Sequence, residues 1–264
     1  MLKRSPILFA AFALAVGVLA ATAPVAVASA RHAPARALPS GFVPGGLFRQ
    51  TPGTHPRVAD GHNVNYSTNW SGYAVTGKTF TTATASWTQT AVTCPGGSQF
   101  SSPWVGIDGF SSTTVEQTGS EGDCLSGRPS YYAWYEMFPR STQVINKPVH
   151  PGDQFTGTVT SNGGGNYTLT LADTTQGWTN TVHRSISGKN NSAEAVMERD
   201  GNKLADFGTG PFSSFTVDGQ PIGSYTGGAT TVWQMFIKVS GTLCDSTSGL
   251  SNTDNFTVTW MHEC

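Results

Sequence analysis

The stretch Tyr131-Tyr132-Ala133-Trp134-Tyr135-Glu136-Met137-Phe138 reads as a β-strand. Aromatic residues fit a pleated, half-buried surface, and no 3.6-residue spacing of apolar side chains runs through the segment. With a period of two, Tyr132, Trp134, Glu136 and Phe138 share one face, which puts a carboxylate in a row of aromatic rings. The same texture extends outward on both sides, as short runs rich in Val, Thr, Phe and Trp punctuated by Gly, Pro, Asn or Ser. Further strands are expected at 70–75, 80–89, 104–109, 113–118, 154–161, 166–173, 179–187, 192–198, 212–217, 231–239 and 256–262. About a dozen strands at this spacing predict an all-β fold, a β-sandwich of two large antiparallel sheets.

Composition supports a packed domain and excludes some partners. The 264 residues include 15 Lys+Arg and 16 Asp+Glu, with 38% hydrophobic and 11% aromatic residues. A nucleic-acid binder needs a dense basic face, which a sparse and balanced charge set does not supply. A disordered chain lacks this much apolar material.

At the N-terminus, Lys3 and Arg4 precede an apolar run from Ile7 to Ala21 and the small triplet Ala28, Ser29, Ala30. That is the layout of a secretory signal peptide over 1–30, too short in its apolar part to span a bilayer, so a secreted, extracellular protein is expected, with no membrane partner after cleavage. Residues 31–62 are rich in Pro, Ala and Gly and carry Arg31, Arg36, Arg49 and Arg57; they read as a basic pro-segment or linker before a domain at 63–264. From residue 61 onward there are 15 acids against nine Lys+Arg, a net charge near −6, which the basic N-terminal part conceals in the total.

All four cysteines, Cys94, Cys124, Cys244 and Cys264, fall in the exported part, where disulfides are expected. Three pairings are possible, and the sequential one, Cys94 with Cys124 and Cys244 with Cys264, closes loops worth about 3 kcal/mol each. None of the four stands close to another, and there is no His-Glu-x-x-His, so no metal and no cofactor are expected. No Gly-x-Ser-x-Gly elbow is present either.

Carboxylates remain as candidate chemistry. Glu116, Glu136, Glu194 and Glu198 all lie inside expected strands. Each could be an ordinary solvent-facing strand residue. Aromatics beside acids on a sheet also describe a sugar-binding groove, so a secreted glycoside hydrolase or carbohydrate-binding sandwich is an alternative reading, and a non-catalytic structural sandwich is a third.

Five ordered motifs, Trp104-Val-Gly-Ile-Asp108-Gly, Val115-Glu-Gln117-Thr-Gly, Tyr132-Ala-Trp134-Tyr-Glu136, Ser192-Ala-Glu194 and Ala205-Asp-Phe-Gly, resemble those of the glutamic peptidases (eqolisins, peptidase family G1). The resemblance covers about 69–215 and is weaker to the C-terminus. It implies a concanavalin-like jelly-roll sandwich, secreted as a precursor and acting on proteins or peptides in acid as a pepstatin-insensitive endopeptidase. Its catalytic pair falls on Gln117 and Glu194. Trp104, Asp108, Trp134 and Glu136 are the candidates for substrate contacts or for support of the pair. The chain departs from the family at Glu116, where a Leu is common, and at Ala195, where an aromatic is common; alternation turns both away from the catalytic side. A basic pro-segment attached to an acidic domain suggests that the segment inhibits its own enzyme near neutrality. The active form is expected to be a monomer.

Overall fold

The structure, a computed structural model, describes Met1, residues 46–59 and residues 61–264. The chain divides into two units, Met1–Pro34 and Ala35–Cys264, and all of the strands belong to the second. Apart from Met1, the expected signal peptide and the expected pro-segment up to residue 45 lie outside the described residues.

The strands in chain order are β1 (Arg57–Ala59), β2 (His62–Ser67), β3 (Trp70–Thr76), β4 (Thr82–Thr88), β5 (Ser102–Ile107) and β6 (Val115–Leu125). They continue with β7 (Arg128–Phe138), β8 (Gln143–Ile145), β9 (Gln154–Gly163), β10 (Asn166–Asp173), β11 (Trp178–Ser185) and β12 (Ser192–Glu198). The last are β13 (Thr209–Val217), β14 (Gln220–Pro221), β15 (Thr231–Val239), β16 (Thr242–Leu243), β17 (Asp245–Thr247) and β18 (Phe256–Trp260). A single 3-10 turn, Ile222–Ser224, is the only helical element among the described residues.

Two sheets form. The larger has ten strands in the order β1-β2-β15-β3-β12-β5-β6-β7-β8, with β16 added on β15. The smaller has eight in the order β11-β10-β9-β4-β13-β18-β17, with β14 on β13. Pairing is antiparallel apart from β2 with β15, which run parallel. The expected sandwich is therefore present.

The two sheets differ in a way that positions the site. β4 and β10 alternate buried with half-buried residues, because the smaller sheet packs one face inward and leaves the other in water. β5 and β12 are buried at every residue, and β6 is buried from Val115 to Cys124. The centre of the larger sheet is thus covered on both faces. Its inner face sends Val105, Ile107, Ala193, Ala195 and Met197 against Trp87, Phe155, Val159 and Phe212 of the smaller sheet. The approach is close: a Cβ on Gly157 would stand 2.6 Å from Val105 Cγ1. The Trp87 indole also crosses the gap to donate to Ser120 Oγ at 2.9 Å. Its outer face carries a second apolar cluster of Trp70, Trp104, Tyr132, Trp134, Val196 and Met235.

The disulfides are Cys94–Cys124 and Cys244–Cys264, the sequential pairing expected from loop length. Residues 46–59, read from composition as part of a linker, lie against the larger sheet. Phe48 N donates to Gly109 O, its ring stacks on Phe110, and β1 pairs with β2. Single residues make these contacts, so no periodic face announces them. Gly119 and Gly122 read as stops after 118, yet β6 continues to Leu125 because it pairs with β7 along eleven residues. The two- and three-residue strands are too short to carry any period.

Candidate active site

Strand register builds the site. Across the larger sheet, Glu194 of β12 stands opposite Gly106 of β5, Gly106 opposite Gln117 of β6, and Gln117 opposite Glu136 of β7. Opposed residues in antiparallel pairs share a face, so the carboxyl of Glu194 and the amide of Gln117 look the same way from strands two apart, about 10 Å between backbones. Glycine between them supplies no side chain, and the Trp104 ring packs over that position. A Cβ at Gly106 would come within 2.9 Å of the Trp104 ring and 3.1 Å of Gln117 Cβ. Gly106→Ala is therefore expected to lower kcat/KM about 10²-fold by displacing these groups, with the β-sheet circular dichroism spectrum retained. Unchanged kinetics would show that the close packing at Gly106 does not matter to the site.

The next row places tryptophans around a second glycine. Trp104, Gly119 and Trp134 stand opposite one another on β5, β6 and β7. A Cβ on Gly119 would lie 2.5 Å from Trp104 Cβ and 2.9 Å from Trp134 Cζ2, so only glycine lets the two indoles flank that point. Trp104 Nε1 donates to Glu198 Oε2 at 2.8 Å, and Trp134 Nε1 donates to Ser102 Oγ at 3.2 Å. The indoles are held at both ends, by packing and by a hydrogen bond.

Gln117 is positioned by its neighbour. Its Nε2 donates to Glu136 Oε2 at 2.7 Å, and Thr142 Oγ1 donates to Glu136 Oε1 at 2.7 Å. Glu136 thereby fixes which end of the amide points where. Glu194 is fully buried, and neither of its oxygens receives a hydrogen bond from a described residue.

The solvent-facing alternative for Glu116, Glu136, Glu194 and Glu198 does not hold, since all four are buried. Loss of hydration disfavours a charged carboxylate and is the first cause of the raised pKa at each site. It pushes the Glu194 carboxyl well above the ordinary 4.5, with the Asp108 charge adding to the rise and the nearby Ser192 hydroxyl opposing it. Glu136 is pushed up to about 8 by burial, against the Thr142 and Gln117 hydrogen bonds. Glu198 rises to about 7 by burial, held back by donors at Gly46, Asn69 and Trp104.

Of the residues singled out by sequence, Gln117, Glu136, Trp104, Trp134 and Glu194 lie on this one face. Asp108 does not join the row. It follows β5 at φ 74°, and its two oxygens accept from the backbone N–H groups of Asn190 and Asn191 at 2.8 and 2.9 Å, beneath the turn that leads into β12. Glu116 faces the other way, opposite Ile107 of the inner core. Sequence reasoning missed Gly106, Thr142 and the anchoring role of Glu198. Glu198 shares the Glu194 face by alternation, a signal present in the chain; Thr142 sits in a turn and carries none. Among the described residues, no group of three or more His, Cys, Asp or Glu is arranged to hold a metal ion.

A carboxyl and an amide on either side of a glycine are not the facing carboxyl pair of a glycoside hydrolase. Residues 68–260 match the model of the Peptidase A4 family. The chain belongs to that family, the glutamic peptidases. The peptidase is 29% identical over 229 residues to Aspergillopepsin-2 of Aspergillus niger, a match covering 75% of this chain and 79% of that protein. Its fold is similar to that of scytalido-glutamic peptidase solved with a transition state analog inhibitor (TM-score 0.61, 21% identity, 74% of this chain and 98% of that one). It is also similar to aspergilloglutamic peptidase from Aspergillus niger (TM-score 0.52, 27% identity, 61% of this chain and 99% of that one).

Proposed function

We propose that this peptidase is a secreted acid endopeptidase in which Glu194 activates water and Gln117 stabilises the oxyanion. One observation carries the reading: Glu194 and Gln117 share a face on either side of Gly106, with Gln117 fixed by Glu136. Glu194, as carboxylate, takes a proton from a water admitted between it and Gln117, and that water attacks the scissile carbonyl. The Gln117 NH2, oriented by Glu136, donates to the oxygen as it gains charge. Glu194 then returns its proton to the departing amine, and the dyad is restored. Burial holds Glu194 protonated in the free protein; because lost hydration is the first cause, admitting water and substrate beside it brings its carboxyl back toward the ordinary range.

Trp104 and Trp134, buried beside the pair, are the side chains that substrate meets once it is admitted there. Protein or peptide chains are the substrates, the basic 31–62 stretch is an inhibitor of its own enzyme, and the active form is a monomer. Processed protein incubated with denatured casein at about pH 3.5 and 7, with pepstatin present, tests the reading. Internal cleavage in acid that pepstatin leaves intact is expected; intact casein at both pH values would refute it.

A further inference from the structure

Behind the dyad, on the inner side of the sheet, lies a second pair of carboxyls that the dyad chemistry does not use. Glu116 and Asp108 are both fully buried, and they flank one point: a Cβ on Gly188 would stand 2.8 Å from Asp108 Oδ2 and 3.2 Å from Glu116 Oε1. Neither Glu116 oxygen receives a hydrogen bond from a described donor. Two carboxylates are both acceptors, so they can bond only if one keeps a proton. Asp108 already accepts two backbone N–H groups, which places that proton on Glu116.

The surroundings are built around this pair. Gly188 gives it room: a Cβ there would also overlap the Tyr167 hydroxyl. Asp108 and Asn190 both hold positive φ, 74° and 55°, where non-glycine residues are uncommon and are kept only by surrounding bonds. Those bonds are present. Tyr167 Oη donates to Asn190 Oδ1 at 2.6 Å, Asn190 Nδ2 to Ser161 Oγ at 3.0 Å, Phe80 N to Asn190 O at 2.8 Å, and Asp108 N to Ser192 O at 2.9 Å. Ser192 opens β12, and Glu194 lies two residues further on.

We propose that Glu116 and Asp108 form a proton-sharing latch that fastens the 188–191 turn, and through it the start of β12 and Glu194, for as long as the pair keeps its single proton. The groups around it are Tyr167 from β10 and Thr114 ahead of β6; Glu194 of β12, on the other face of the sheet, feels its charge, and Lys189 is exposed. Among the described residues neither carboxyl forms an ion pair, so a second negative charge has no partner. Burial and the Asp108 charge push Glu116 up to about 8, so the latch is closed in acid and opens as the pH rises toward that value. Two repelling anions then pull at the Asn190 and Asn191 amides.

The link from latch to rate rests on Glu194 being the reacting carboxyl; the latch itself does not. Hydrogen exchange on the whole protein reads it directly. Protection of 188–192 is expected to fall at least about tenfold between pH 5 and 7.5, ahead of β9 and β10 in the same sample. In Glu116→Gln the amide donates to Asp108 at every pH, so that early fall is expected to vanish, while kcat and KM at about pH 3.5 stay within roughly twofold of the parent. An early fall persisting in Glu116→Gln, or none in the parent, overturns the proposal. A parent protein with no peptidase activity would sink the function reading and leave the exchange result standing.

Discussion

Glu194→Gln is expected to abolish most peptide hydrolysis at about pH 3.5, lowering kcat/KM at least 10³-fold. An amide of the same shape cannot take a proton from water, and a positioned general base is worth about 10²–10⁴-fold. The fold is expected to survive. Burial already favours the neutral Glu194 carboxyl in the folded protein, so the neutral amide replaces a neutral acid of equal size. Gln117→Ala is expected to cost about 10²–10³-fold, or 3–4 kcal/mol, through the lost oxyanion donor. The double variant is expected to fall little below Glu194→Gln, because residues acting as a unit are not additive. Initial rates on a peptide reporter, alongside a thermal melt of each variant, check this. Near-parental rates in folded Glu194→Gln would end the dyad assignment.

The folded protein is expected to be most stable in acid and to lose much of that stability before neutrality. Glu116 and Glu136 are pushed up to about 8, and Glu198 and Asp245 to about 7, each with burial as the first cause. Glu121, Glu194 and Asp200 also rise well above their ordinary values. In the unfolded chain these carboxyls titrate near 4. A group with a higher value in the folded state binds its proton more tightly there. Its contribution is complete below about pH 4 and is lost as the pH climbs through 7 to 8. For Glu116 alone the loss approaches about 4–5 kcal/mol, against a total stability of about 5–15 kcal/mol for a typical domain. Asp218, held low by Thr81, Thr82 and Lys78 against the effect of burial, acts in the opposite sense but is partly exposed. Thermal melts at about pH 3.5, 5.5 and 7.5 are expected to show Tm falling by 10 °C or more. A flat or rising Tm would mean that these acids are hydrated or paired in solution.

Much of the framework was legible in the chain. The bounds expected for 166–173, 192–198 and 231–239 are those of β10, β12 and β15, because each is a β-rich run closed off by Gly-, Asn- or Ser-containing punctuation. The placing of Glu194 with Val196 and away from Ala195 and Met197, and of Glu116 away from Gln117, comes from the strand period of two. The Gln117–Glu136 hydrogen bond was not legible, since it depends on how two strands pair across a turn. Nor was the length of β6, where glycines that suggest a stop instead make room for Trp104 and Trp134.

The sequence by itself determined most of the longer strands, the faces of their side chains and the residue types able to do amide chemistry. These depend on neighbours one or two positions apart. Only the tertiary structure decided that Glu194, Gly106, Gln117 and Glu136 fall in one register row, and that the acids of that sheet are covered on both faces. Register and desolvation are set by segments far apart in the chain, and the displaced carboxyl equilibria are the consequence of that burial.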